Sequence, residues 1–184
     1  DVGIYQLQDF PDRWKKVATL IENEKCADST FLQYEGESYL FTFKPSFHQY
    51  GGKLYLYHLN QGHIDGEQYI TDNKMFARPG GNILCMGDKY IRVSQDCSAG
   101  YGCGLVFSEI KSVWPKYEER VVKRISAADI MKGPRESYIG VHTYNALKDI
   151  EVVDLKFSTF SVQEYMAQKR VRKVFLNKYG AKKN

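Results

Sequence analysis

The sequence predicts an all-β fold, a partial β-propeller of four-stranded units followed by a basic C-terminal α-helix. Three observations lead there. Aromatic residues make up 14% of the 184 residues and include fourteen tyrosines, a composition that favours strands over helices. Short apolar runs alternate with glycine-containing turns, as in hairpins. The hairpins also recur about every 50 residues, and sheets repeating at that spacing bury their faces against one another around a central channel.

In chain order, WKKVATLI from Trp14 reads as a lone strand, the outermost one of an earlier unit. The first full unit opens with ADSTFLQYEGESYLFTF from Ala27: strand, tight turn at Gly36, strand. KLYLYHL (Lys53 to Leu59) supplies a third strand and EQYI, at Glu67, a weaker fourth. The second unit repeats the order in ARPGGNILCMGDKYIRVSQ from Ala77, with Arg78 set on Asp28, Gly87 on Gly36 and Tyr90 on Tyr39. GLVFSEI and ERVVKRI complete it. A third copy, YIGVHTYNALKDIEVVDLKF, places His142 where Asp28 and Arg78 stood and turns at Lys148-Asp149. It supplies two strands only, so residues 1–160 form about three blades and residues 161–184 a separate basic helix and tail. Val162, Tyr165, Met166, Val174, Leu176 and Tyr179 offer that helix a docking stripe. A ring of roughly four to eight blades needs more than this, so further blades or a second chain are expected to complete it.

Composition narrows the function. No stretch reaches the roughly 18 apolar residues of a membrane helix, so no integral membrane segment is expected. From Ser161 onward seven Lys or Arg face one acid, Glu164, so this tail alone outweighs the net charge of +4 and the body is slightly negative. The tail reads as a solvated helix, and no nucleic acid partner is expected. Cys97 and Cys103 flank SAGYG and can bridge across it, whereas Cys26 and Cys85 lie in strand-like runs. Reduced thiols and a cytoplasmic setting are the expectation. The sequence holds no CxxC pair or HExxH, and neither a metal nor a cofactor is expected.

In a propeller the first strand of each blade lines the channel, and its leading residue projects at the mouth. Those residues are Asp28, Arg78 and His142: an acid, a fixed cation and a titratable ring. Pro79, Gly80 and Gly81 permit a sharp turn that brings a ligand close to bare peptide groups. Gln95 and Asp96 end the second strand and can bond sugar hydroxyls, with Tyr101 stacked under a ring. Plainer readings stand beside these: an Asp28–Arg78 salt bridge between blades, a structural hydrogen bond at His142, Asp96 as the cap of the SAGYGCG loop, and Asn145 as a turn residue.

ADSTFLQYEGESYLFTF, FARPGG, YIRVSQDCSAGYG and GVHTYN, in this order, resemble the five-bladed propeller domain at the N-terminus of plant glucosamine inositolphosphorylceramide transferases and of related bacterial proteins, some joined to formyltransferase-like domains. The resemblance covers residues 12–158, and ARPGG followed by QDCSAGYG is its specific part. It implies that the missing blades precede Asp1 and that the domain is similar to the propellers of glycoside hydrolase family 43. Such hydrolases use a general base and a general acid, about 6.5–9.5 Å apart in inverting enzymes. Asp28 matches a carboxylate position, but Arg78 and His142 replace the next two, leaving Asp96 as the candidate second acid. The expected function is therefore recognition of a carbohydrate or sugar phosphate in the service of glycan or nucleotide-sugar modification, with Arg78, Gln95, Tyr101 and His142 holding the ligand. The alternatives are an inverting hydrolase using Asp28 and Asp96, and a non-catalytic interaction scaffold.

Overall fold

A computed structural model describes residues 1–47, 50–130 and 138–157. It is mostly β-structure, as composition and turn chemistry require. β1 (Val2–Asp9) and β2 (Arg13–Ile21) pair as an antiparallel hairpin, so the strand read at Trp14 has a partner the sequence reading did not anticipate. The first full unit is the antiparallel sheet β3-β4-β5-β6, formed by Ala27–Tyr34, Glu37–Pro45, Gly52–Asn60 and His63–Thr71. In the second unit the inner strand is broken into β7 (Arg78–Pro79) and β8 (Leu84–Met86), both paired with β9 (Lys89–Asp96). β10 (Gly104–Ser112) and β11 (Glu118–Ser126) complete that sheet. A single turn of helix, α1 (Ala127–Ile130), leads on toward the third unit. There β12 (Tyr138–Gly140) pairs with β15 (Lys156–Phe157), and β13 (Tyr144–Leu147) with β14 (Ile150–Val153) through the expected Lys148-Asp149 turn.

The units pack face to face in chain order. Leu40, Tyr57 and Leu59 of the first sheet meet Ile21 of the N-terminal hairpin, while Tyr39, Phe41, Phe43, Leu54 and Leu56 on the opposite face meet Ala77, Ile83, Ile110 and Val113 of the second unit. The next interface gathers Val93, Leu105 and Val141, with Phe107, Tyr144 and Val153 against them. Because both faces of β5 are covered, GKLYLYHLN carries near-continuous apolar residues rather than a clean alternation. Beyond β10 and β11 the third unit leaves an apolar groove of about 820 Å³, walled by Phe107, Val122, Ile125, Tyr144 and Val153.

Register corrects the repeat alignment. Tyr34 pairs with Glu37 across one two-residue turn, and Met86 pairs with Lys89 across the other. Gly36 therefore answers to Asp88 and Tyr39 to Ile91, one residue away from the sequence alignment. A one-residue slip exchanges the two faces of a strand. Tyr39 accordingly faces forward to the second unit, whereas Tyr90 faces back to the first and meets Tyr34 edge-on, with ring centroids 5.2 Å apart. The expected helix and tail over 161–184 lie outside the described residues. No helix among the described residues is long and apolar enough to cross a membrane.

Candidate functional site

The inner strands of three units meet at one place, and irregular backbone brings them there. Between Ala27 and Thr30 the β3–β4 ladder carries a bulge, and Asp28 within it adopts φ 50°, a left-handed conformation that Asp tolerates better than most residues. The bulge aims its carboxylate at the second unit, where Arg78 Nε donates to Asp28 Oδ2 at 2.5 Å. Arg78 Cζ also lies 4.8 Å from the Tyr101 ring centroid and 5.4 Å from that of Phe43, so aromatic faces support the guanidinium on a half-buried surface.

The break between β7 and β8 staples the units. Thr30 Oγ1 donates to the Gly81 carbonyl at 3.1 Å from one side, and Tyr144 N donates to the Gly80 carbonyl at 2.8 Å from the other. Asn82 N donates to Asn145 Oδ1 at 2.9 Å, and its side chain reaches the Ala146 carbonyl. A Cβ at Gly81, whose φ is 142°, would stand 1.9 Å from the Tyr144 carbonyl oxygen. The glycines thus admit a neighbouring strand at this point, which is a different use from the expected ligand approach. Asn145 belongs to β13 and binds Asn82 rather than shaping a turn.

His142 lies in the matching break between β12 and β13. Its Nδ1 is hydrogen-bonded to Asp154 Oδ2. Asp154 Oδ1 accepts the backbone N–H of Thr143 at 2.6 Å, that of His142 at 3.1 Å and the Thr143 hydroxyl at 3.0 Å, which fixes the carboxylate. Burial pushes the imidazole below its ordinary value; Asp28 opposes this, and Arg78 and Lys156 add to it. The ring packs on Tyr101, with centroids 5.3 Å apart.

Four of the expected residues, Asp28, Arg78, Tyr101 and His142, form this connected cluster. The other two stand apart from it. Gln95 is buried, and its Nε2 donates to the Pro79 carbonyl at 2.7 Å, bracing β7 against β9. Asp96 Oδ1 accepts the N–H of Ser98 at 2.9 Å and its hydroxyl at 2.5 Å, which caps the loop carrying Tyr101. All four cysteines are free thiols. Asp154, Lys156, Asn82 and Thr30 escaped the sequence reading. A signal for Asp154 exists in the third repeat, where the acid directly follows the strand Ile150–Val153, rich in β-branched residues.

Two openings adjoin the cluster. One is a cleft of about 390 Å³ bordered by Asp28, Thr30, Phe31, Asn82, Thr143 and Asn145; the other is a recess of about 190 Å³ bordered by Tyr101, His142, Asp154 and Lys156. Carboxylate, hydroxyl and amide side chains border the cleft beside apolar surface that includes the half-exposed ring of Phe31. The larger groove beside β10 and β11 is bordered by Lys123, Arg124, Asp129 and Glu151 as well as apolar side chains, and none of the expected site residues lines it.

A model of the family described as glucosamine inositolphosphorylceramide transferase 1, N-terminal, matches residues 1–159. The chain belongs to this family. Relatives named glucosamine inositolphosphorylceramide transferase 1 occur in Oryza sativa subsp. japonica and Oryza sativa subsp. indica. Each is 24% identical over 153 residues, an alignment covering 79% of this chain and 20% of the relative. The chain thus spans about one fifth of the length of the curated relatives it matches. No solved structure matches it. Membership in the glucosamine inositolphosphorylceramide transferase 1 N-terminal family places the chain, at a coarse level, among glycosyltransferase-associated domains.

Proposed function

We propose that this chain is part of a β-propeller-like carbohydrate-recognition domain serving glycan modification. The cleft between β3, the Gly80–Asn82 segment and β13 holds the sugar. One observation carries the reading: three successive sheets bring an acid, a cation on an aromatic platform and a histidine into one connected cluster, with the cleft opening beside Asp28 and the recess beside His142. Phe31 offers an apolar face for a sugar ring, and Asp28 Oδ1 remains available to accept from hydroxyls while Oδ2 holds Arg78. Arg78 suits a phosphate or carboxylate, because a guanidinium presents paired donors to two oxygens. The relatives' printed name joins a sugar, glucosamine, to a lipid headgroup bearing inositol and phosphate, which agrees with a ligand of this chemistry.

The β1–β2 hairpin and the two-stranded third unit are read as the outer and inner halves of incomplete blades. Further blades or a second chain complete the ring. Binding is preferred to hydrolysis because Asp96, the candidate second acid, is held by Ser98 in its own loop, whereas an inverting site needs two carboxylates free for proton transfer.

A thermal-shift panel of sugars and sugar phosphates, repeated on Arg78→Ala, tests the proposal. A sugar phosphate is expected to stabilise the native chain. Loss of one charge-assisted contact, about 1.5–3 kcal/mol, weakens that ligand roughly 10- to 150-fold in the variant. No stabilisation by any member of the panel refutes the reading.

A further inference from the structure

The recess beside Tyr101 has a chemistry the sugar cleft lacks. At about 190 Å³ it falls below the roughly 300–1,000 Å³ of pockets that enclose a whole drug-sized ligand. It therefore suits a compact group carried at the end of a larger molecule. Two nitrogen-bearing side chains, His142 and Lys156, border it, and Arg78 lies against the Tyr101 ring that forms part of its wall. Among the described residues Arg78 makes one side-chain hydrogen bond, through Nε to Asp28, and its Nη groups stay unpaired. Lys156 Nζ lies 6.0 Å from the Tyr101 centroid and forms no ion pair among the described residues. His142 turns Nδ1 to Asp154, whose orientation its other oxygen fixes. The neutral ring thus keeps its proton at Nδ1, and Nε2 is the atom left to gain one.

We propose that this recess binds a tetrahedral oxyanion borne by the sugar ligand, a phosphate monoester in particular, and that His142 takes up a proton at Nε2 as the anion enters. The inference rests on the carbohydrate reading and narrows it to an anionic ligand. The charged and titratable groups facing His142 are Asp28 from β3, Arg78 from β7, Tyr101 from the β9–β10 loop, and Asp154 and Lys156 from the third unit. Burial and the two cations disfavour another positive charge on the ring, against the pull of Asp28 and of the Asp154 carboxylate at Nδ1. A dianion in the recess reverses that balance. The imidazolium then donates Nε2–H to an anion oxygen, beside the Lys156 donor. Binding and protonation are linked, so affinity for an anion of constant charge rises as pH falls.

Sulfate keeps its charge between pH 5.5 and 8 and isolates the protein's own titration. The test measures sulfate, glucose 1-phosphate and glucose binding to the 184-residue chain at constant ionic strength, while proton NMR follows the His142 imidazole, assigned by its loss in His142→Gln. Sulfate is expected to shift the His142 titration upward and to bind more tightly at low pH, approaching about tenfold per pH unit at the steepest point for uptake of one proton. Lys156→Ala, at an exposed position, is expected to weaken sulfate about two- to fivefold. The wild-type titration decides the matter even if the His142 variant folds poorly. Sulfate binding with an unmoved His142 titration overturns the proposal. Glucose binding without sulfate or glucose 1-phosphate binding overturns it too but leaves the carbohydrate reading standing. Failure of all three probes overturns both.

Discussion

Removing the charge of Glu119 should cost this chain several kcal/mol, because it strands a cation inside the protein. Arg92 on β9 is 1% exposed and points toward the first unit, its guanidinium 5.8 Å from the Phe41 ring. Its Nε and Nη2 donate to Glu119 at 2.8 Å and 2.6 Å, and the Tyr117 hydroxyl donates to the same carboxylate at 2.7 Å. Nη1 has no partner among the described residues, so the cation depends on Glu119 for charge balance. Glu119 is held below its ordinary value by Arg92 and Tyr117 despite the upward push of burial. Breaking such a pair from one side costs about 3–5 kcal/mol, whereas replacing both members with apolar residues is close to neutral. At about 2–4 °C per kcal/mol for a chain of this size, Glu119→Gln should lower Tm by roughly 6–20 °C. The double variant Arg92→Met/Glu119→Leu should recover most of that loss. Circular-dichroism melts and urea midpoints at pH 7 measure both. A Glu119→Gln loss below about 2 °C, or a double variant as unstable as the summed singles, refutes the reasoning.

Gly81→Ala should destabilise by about 3 kcal/mol or more, since the added methyl meets the Tyr144 carbonyl and the residue already has φ 142°; a urea midpoint unchanged from wild type contradicts this. Lys111 and Arg120, at 2.6 Å and 2.8 Å, hold the Glu109 carboxyl down to about 2 from its ordinary 4.5. That contribution is present above pH 4.5 and is lost as pH falls toward 2, so Glu109→Gln should show a shallower acid limb in stability against pH. His58 has the opposite sign: Glu37, with Asp65 beside it, raises its imidazole above 6.5 against the pull of burial. Its contribution is complete below pH 6.5 and disappears as pH rises through the folded-state value, and His58→Gln should abolish that slope while the wild type retains it.

Much of the fold was legible because strand periodicity and tight turns are local. The Gly36 and Lys148-Asp149 turns stand where the sequence puts them. Register was less legible: aligning Gly87 with Gly36 ignores that glycine can occupy either central position of a two-residue turn, and the resulting slip equates Tyr90, which faces the first unit, with Tyr39, which faces the second. β1 escaped notice because VGIYQLQD is too polar to announce itself and owes its state to β2. At the site, Asp28, Arg78 and His142 were found as chemically odd leaders of repeated strands. Gln95 was misplaced because one step along β9 decides between the opening and the buried interior.

What the sequence by itself determined is the all-β class, the recurring hairpins and the charge types at the head of each inner strand, since composition, turn residues and period act within a few residues of one another. Only the tertiary structure decided that Asp28 grips Arg78, that Tyr101 lies between Arg78 and His142, and that Gly80–Asn82 fasten the sheets on either side. Those contacts join residues 23 to 64 positions apart. They depend on a bulge at Asp28 and on breaks in two inner strands, and bulges and breaks are settled by the neighbouring sheets rather than by the residues that form them.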